Sequence, residues 1–254
     1  MEQAGDDVIT TFRVDDDTLI IDLGQPRTVL SSAPYRGGLL RARYILNHQV
    51  PSDPIQRQQP GGRRVWGDPS RYLSKVAVRR GAHGPRVGLM TAVPMTRLVV
   101  MREQAEGLWV EGFLTVGVSN AVRAGAPLPP AAHRSDRATV GTINIILVTN
   151  ARLTASAMVG VVQVMTESKA AVLLDEGVPT WDGGPGATGT GTDAVVVASG
   201  DGPTVRYSGT HTALGEVVGR LVGRGVREGL TRYRHWVSQA EAGPECARSE
   251  GQTR

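Results

Sequence analysis

Ile143-Asn-Ile-Ile-Leu-Val-Thr149, then Thr154 and the residues after it, then Thr188-Gly-Thr-Gly-Thr-Asp193-Ala-Val-Val-Val197 together decide the fold. The first run is apolar and β-branched almost throughout, the pattern of a strand buried on both faces. Thr154 has the chemistry of a helix N-cap, and Met158, Val161, Val162 and Met165 recur at helical spacing in a segment that runs to about Asp175, where Gly177 offers a stop. The hydroxyl- and glycine-rich run then enters a second apolar strand. Strand, helix, loop and strand make one βαβ-like unit.

The loop of this unit is also where a ligand is expected. Its glycines let backbone N–H groups approach a substrate, its threonines add hydroxyls, and Asp193 stands as a fixed charge at the strand mouth. It is not a phosphate loop, because a P-loop ends in Lys-Ser/Thr and opens a helix, whereas these glycines precede Val195-Val196-Val197 and carry no lysine. A dinucleotide fingerprint fails on the same ground.

Upstream, Ile9–Val14, Thr18–Leu23 and Arg27–Ser32 read as consecutive strands, and the pattern turns irregular after Pro34-Tyr-Arg-Gly-Gly38. Asp68-Pro69 is an N-cap with proline at the first helical position, predicting a short helix to about Arg80 that ends at Gly81. Val87–Val93, Arg97–Arg102 and Leu108–Val118 read as a strand meander with a hairpin turn over Glu103–Gly107, and Ala124–Arg137 as an exposed loop. A last helix from about Ala213 to Tyr233 carries Leu214, Val217, Val218 and Leu221 on one side. Gly215, Gly219 and Gly223 recur every fourth residue along it and predict close packing on a sheet. These elements fit one domain over residues 1–237, with a polar, disordered tail over 238–254.

Composition narrows the function classes. No apolar run approaches the roughly 20 residues of a membrane helix, and the first residues lack the basic and apolar regions of a signal peptide, so a cytoplasmic protein without a membrane partner is expected. The single cysteine, Cys246, lies in the tail, which argues against disulfides and thiolate catalysis. Lys75 and Lys169 are the two lysines among 28 basic residues, and the formal net charge is only +4. The arginines are dispersed, so the basicity is a weak signal and no nucleic-acid partner is expected.

Five scattered histidines (His48, His83, His133, His211, His235) form no zinc-type motif, so no metal site is expected. Gly117-Val-Ser119-Asn120-Ala121 approaches a nucleophile elbow but ends in alanine; Ser119 and Asn120 still suit orienting a substrate amide. His48 and His211 are candidate bases, each with the alternative of a packed or capping histidine, and Asn144 inside a buried strand has the alternative of satisfying backbone groups. Lys169 falls on the core-facing stripe of its helix in a chain that otherwise uses arginine. Either it snorkels to the surface, or it acts as an electrophile or as the cation that fixes Asp193.

Taken in order, several motifs resemble the adenosylcobinamide amidohydrolase family over roughly residues 28 to 230. They are Asn47-His48-Gln-Val-Pro, Gly88-Leu-Met-Thr91-Ala, Val116-Gly-Val-Ser119-Asn120-Ala121 with Ala124-Gly125, Gly141-Thr-Ile-Asn144-Ile, Glu167-Ser-Lys169, Ala187-Thr-Gly-Thr-Gly-Thr-Asp193 and Tyr207-Ser-Gly-Thr210-His211-Thr. Ser168 departs from the alanine usual there. The resemblance implies a corrinoid salvage enzyme that hydrolyses the amide between the aminopropanol linker and the corrin side chain, giving adenosylcobyric acid; the alternative is a corrinoid-binding or carrier protein without chemistry. The substrate would bring its own cobalt, and no cofactor is expected. A second likeness, between the 141–197 region and the DmpA/ornithine acetyltransferase type, implies an α/β chain of stacked, largely antiparallel sheets flanked by helices, an α-β-β-α sandwich.

From residue chemistry, His48, Asp193, His211, Thr190, Thr192 and Lys169 are the catalytic candidates. Asn47, Thr91, Ser119, Asn120, Asn144, Thr188, Gly189, Gly191 and Thr210 are the substrate-binding candidates, and all are expected to converge on one pocket.

Overall fold

A computed structural model of the chain describes residues 10–51, 68–127 and 141–241. The strands are β1 (Thr11–Asp15), β2 (Thr18–Ser31), β3 (Gly38–Gln49), β4 (Arg86–Thr91), β5 (Val99–Ala105), β6 (Leu108–Val116), β7 (Ala121–Val122), β8 (Ile143–Thr149), β9 (Arg152–Leu153), β10 (Gly189–Thr190), β11 (Ala194–Ala198) and β12 (Thr204–Val205). The helices are α1 (Pro69–Arg79), α2 (Ala155–Asp175) and α3 (Ala213–Glu241).

The βαβ unit forms as the sequence implies. β8 and β11 are parallel neighbours, Asn144 opposite Ala194 and Val148 opposite Ala198, with α2 as the crossover. Thr154 caps α2 by accepting from Ala157 N at 3.2 Å, a contact worth about 1 kcal/mol. Gly177, at φ +60°, lets the chain turn away after the helix. Asp68 caps α1 in the same way, accepting from Arg71 N.

The main sheet runs β4-β3-β2-β11-β8-β6-β5, with β1 on β2. β3 and β6 are four strand spacings apart in this order, about 19 Å if the sheet were flat. Yet Asn47 Nδ2 on β3 donates to Thr115 Oγ1 on β6 at 3.0 Å, and Asn144 Nδ2 on β8 donates to the Met90 carbonyl on β4 at 2.8 Å. The sheet therefore folds over on itself. β2 carries the bend: its register against β3 slips between Asp22 and Arg27, and Gly24 sits there at φ +78°. Before the slip β2 pairs with β1 and β3, and beyond it Val29–Ser31 pairs with β11.

Four layers result. Leu19, Ile21, Ile45 and Leu89 of the first half pack on Phe113, Ile146 and Val196 of the second, forming the inner core. α1 covers the outside of the first half over Ile20 and Leu46. α2 and α3 cover the outside of the second, with Met158, Val161, Met165, Leu214 and Leu221 against Ile143, Ile145, Leu147 and Val197. This is the expected layered α/β sandwich of largely antiparallel strands, with its two β layers made from one folded sheet instead of two separate ones.

Several local expectations change. Thr18–Leu23 and Arg27–Ser32 are one bent strand, and β3 fills the stretch read as irregular. β3 escaped detection because it is exposed at its start and buried on both faces at its end, so apolar and polar residues never alternate. The meander shrinks to the β5–β6 hairpin, turned at Glu106 and Gly107 with φ positive at both, as a type I′ turn requires. β4 instead pairs with β3 in parallel at the opposite edge. α3 continues to Glu241, so residues 238–241 are helical; the rest of the tail, with Cys246, and the insertion at 128–140 lie outside the described residues.

Gly219 faces α2, where Ser168 Oγ donates to its carbonyl at 2.8 Å; the tight sheet contacts are Leu221 against Gly112, Gly225 against Leu114 and Gly229 against Val116. Against the expectation from apolar runs, α2 is by length and composition apolar enough to cross a membrane. In this fold its apolar side is buried against the sheet and α3.

Asn144 is wholly buried and donates to both Asn47 Oδ1 and the Met90 carbonyl, tying the two β layers. Asn144→Leu strands both acceptors, and the urea midpoint should report a loss of about 2–4 kcal/mol. An unchanged midpoint would show that the layers do not depend on this tie.

Candidate active site

Asp193, at the mouth of β11, accepts four hydrogen bonds. Its Oδ2 takes Lys169 Nζ at 2.5 Å and Thr190 N at 3.1 Å; its Oδ1 takes Thr190 Oγ1 at 2.5 Å and Ile143 N at 3.0 Å. The Lys169 and Asp193 side chains are 11% and 16% exposed, so the pair is largely withdrawn from water. Lys169 is thus the cation that fixes Asp193, one of the three readings its position offered. Gly189 makes this possible: a β-carbon there would lie 2.5 Å from Asp193 Oδ2 and 2.8 Å from Lys169 Nζ. The pairing of β10 with β7, Thr190 opposite Ala121, holds the loop in place.

These groups line a cleft of about 520 Å³, together with Thr188, Gly191, Val122, Ala124 and the α2 residues Thr166, Glu167 and Ala170. Behind it runs a buried polar seam. Thr192 Oγ1 donates to the Gly141 carbonyl, and Thr142 Oγ1 contacts both the Thr192 carbonyl and Asn144 Oδ1. Asn144 reaches Asn47, which reaches Thr115. Ser119 and Asn120 immediately precede β7 and press on Gly141, whose missing β-carbon would meet Asn120 Oδ1 at 2.6 Å and Ser119 N at 2.8 Å. Asn120 Oδ1 is enclosed with no hydrogen-bond partner among the described residues.

Both histidines fall elsewhere. His48 follows Asn47 on β3, so strand alternation turns it to the opposite face, under α1. It is 4% exposed, with Nδ1 2.8 Å from Thr18 Oγ1 and Nε2 2.8 Å from Tyr72 Oη. The Thr18 hydroxyl gives its proton to Asp17, so it accepts from His48 Nδ1–H and leaves Nε2 to accept from Tyr72. Burial holds the imidazole pKa below its usual value, opposed by the Asp17 carboxylate 3.4 Å away and assisted by Arg80. Thr210 and His211 are exposed, at the far end of the βαβ unit. Their neighbour Ser208 bonds Ala157 O, 12 residues before Lys169 in sequence, or about 18 Å along α2. Thr91 accepts from Val93 N and shapes its own turn.

Residues 3–238 match the model of the adenosylcobinamide amidohydrolase family. The chain is 33% identical over 231 residues to an adenosylcobinamide amidohydrolase of Methanosarcina mazei, covering 86% of this chain and 96% of that one. The chain belongs to the adenosylcobinamide amidohydrolase family. An uncharacterized protein of Methanocaldococcus jannaschii is 31% identical over 233 residues, 85% of this chain and 86% of the other. Among solved structures, the L-aminopeptidase D-Ala-esterase/amidase of Ochrobactrum anthropi superposes with a TM-score of 0.38 at 8% identity, over 88% of this chain and 83% of that one. By its family this chain is an amidohydrolase.

Four residues at this candidate site were not among the site residues expected from the sequence. Thr142 and Thr115 belong to the seam, Tyr233 on α3 hydrogen-bonds Ser119, and Glu167 lines the cleft. Thr142 had a signal: it stands two residues before Asn144, hence on the same face of the chain entering β8.

His48 gives the fold a defined acid sensitivity. Because its folded pKa is depressed, the unfolded chain takes up a proton below about pH 6.5 that the folded chain refuses until lower pH, so stability falls as pH drops through that value. Urea midpoints measured from about pH 7.5 down to 5 should fall less steeply in His48→Asn than in the wild type. Parallel slopes would remove His48 from the acid response.

Proposed function

We propose that the chain hydrolyses the amide joining the aminopropanol arm to the corrin side chain of adenosylcobinamide, releasing adenosylcobyric acid for cobalamin salvage. One observation carries this reading: the Thr190 hydroxyl lies 2.5 Å from a carboxylate oxygen whose partner oxygen is held by a lysine, all on one cleft. A hydroxyl within hydrogen-bond reach of a base that a third group orients is the signature of an activated nucleophile.

In this reading Thr190 Oγ1 attacks the amide carbon and its proton passes to Asp193 Oδ1. The carbonyl oxygen takes the electron pair, facing the Lys169 ammonium. As the C–N bond breaks, Asp193 Oδ1 passes that proton on to the departing nitrogen, while Lys169 stays an ammonium on Oδ2. Water then attacks the Thr190 ester, and its proton ends on Thr190 Oγ1 as the acid leaves. The sequence needs no cofactor, since the cobalt belongs to the substrate. A cleft of about 520 Å³ suits an amide-bearing arm, with the corrin ring left at its mouth. A carrier would have no use for a nucleophile–base–lysine arrangement.

Incubation with adenosylcobinamide should release adenosylcobyric acid and aminopropanol, followed by mass spectrometry. Thr190→Ala, Asp193→Asn and Lys169→Met should each lower kcat by about 10²-fold or more, while His48→Asn and His211→Ala stay within a few-fold of the wild type. Binding without product release would favour the carrier, and a normal rate in Thr190→Ala would discard the nucleophile.

A further inference from the structure

Among the described residues, Glu167 is the one titratable group on the cleft that the proposed reaction leaves unused. Among the described residues the cleft is lined by three such groups, Glu167, Lys169 and Asp193. Lys169 and Asp193 satisfy one another, and Asp193 is further filled by Thr190 and Ile143. Glu167 is exposed and forms no salt bridge or hydrogen bond with any described residue. Of its neighbours on the α2 wall, Thr166 donates its hydroxyl to the Val162 carbonyl and Ala170 is apolar, so neither presents a charged acceptor to a ligand. On the opposite wall Val122 and Ala124 are apolar, and Thr188 Oγ1 already accepts from Ala124 N.

Among the described residues the cleft therefore presents one charged side-chain acceptor without a protein partner, the Glu167 carboxylate, on the same α2 wall as the lysine that faces the scissile amide. Resting on the amidohydrolase reading above, we infer that Glu167 selects the amide to be cut by accepting the hydroxyl O–H of its 2-hydroxypropyl group. A corrinoid carries other amide arms that are unsubstituted, and these have no hydroxyl to offer. A site with an acceptor built for a hydroxyl discriminates against the arm that lacks it, because the acceptor then goes unpaired or keeps its water. The same carboxylate attracts the ammonium that the released aminopropanol becomes, so Glu167 acts on the leaving-group side and not on the acyl side.

The test compares kcat/KM for adenosylcobinamide and for the N-propyl amide of adenosylcobyric acid, which differs from it only in lacking the hydroxyl. The wild type should prefer adenosylcobinamide by roughly 10- to 100-fold, the range of one charge-assisted hydrogen bond. Glu167→Ala should bring the ratio to near one by lowering kcat/KM for adenosylcobinamide, and Glu167→Gln should retain part of the preference through its amide oxygen. An unchanged ratio in Glu167→Ala overturns this assignment and leaves the amidohydrolase reading intact. Turnover of neither amide by the wild type overturns both.

Discussion

The site depends on one carboxylate with four donors. Asp193 gathers the N-terminal end of β8 through Ile143 N, the loop through both polar groups of Thr190, and α2 through Lys169. Three pieces of chain distant in sequence are thereby fixed to within hydrogen-bond tolerance. Stability alone does not call for such a pair. Two charges this far from water lose much of their hydration, and apolar residues of similar size often serve the fold as well, while removal of one partner costs about 3–5 kcal/mol when the pair is buried. What the pair gives is a lysine and a hydroxyl held at defined positions on a cleft, which an apolar replacement would not supply.

The polar seam behind the cleft gives this arrangement a rigid back wall. Asn47, Asn144, Thr115 and Thr142 are buried, and each is hydrogen-bonded to another member. In a low-dielectric interior a connected network of this kind favours a single geometry, because every slip of register leaves a buried group unpaired. The folded sheet makes the seam possible, since strands four places apart in one sheet come into contact only when the sheet doubles back at the β2 bulge. Thr142 joins the two regions, touching Asn144 on the inner face and the Thr192 carbonyl of the loop. Asn120 Oδ1, enclosed and unpartnered among the described residues, is the exception, and it borders the same Gly141.

How much the sequence reveals depends on the range of the interaction. The βαβ unit, its Thr154 cap and the α1 start at Asp68-Pro69 are local signals of periodicity and capping, and the structure follows them. Lys169 was conspicuous for the same reason, a charge on an apolar stripe. The doubled sheet is not local: nothing in β2 except the Gly24-Gln-Pro26 interruption hints that its two halves belong to different layers. The histidines mislead because motif adjacency was read as spatial adjacency. Asn47 and His48 are consecutive on a strand, so they must face opposite ways, and period-two alternation alone shows that only one of them can reach the inner seam. His211 begins a helix parallel to α2 but at the end away from Lys169, an arrangement fixed by the Ser208 contact to Ala157 and the Ser168 contact to Gly219. Glu167 stands in a family-like motif but is not a site candidate from sequence, because a glutamate on an exposed helix face is ordinary until the cleft beside it is known.

The account stands on Thr190 as the atom that takes the acyl group. Rapid-quench single turnover with adenosylcobinamide, followed by peptide mapping, tests this directly. It predicts a cobyryl adduct on Thr190 within the Thr188–Thr192 loop, absent from Thr190→Ala. An adduct on Ser119, or full turnover with no adduct on any residue, would contradict it.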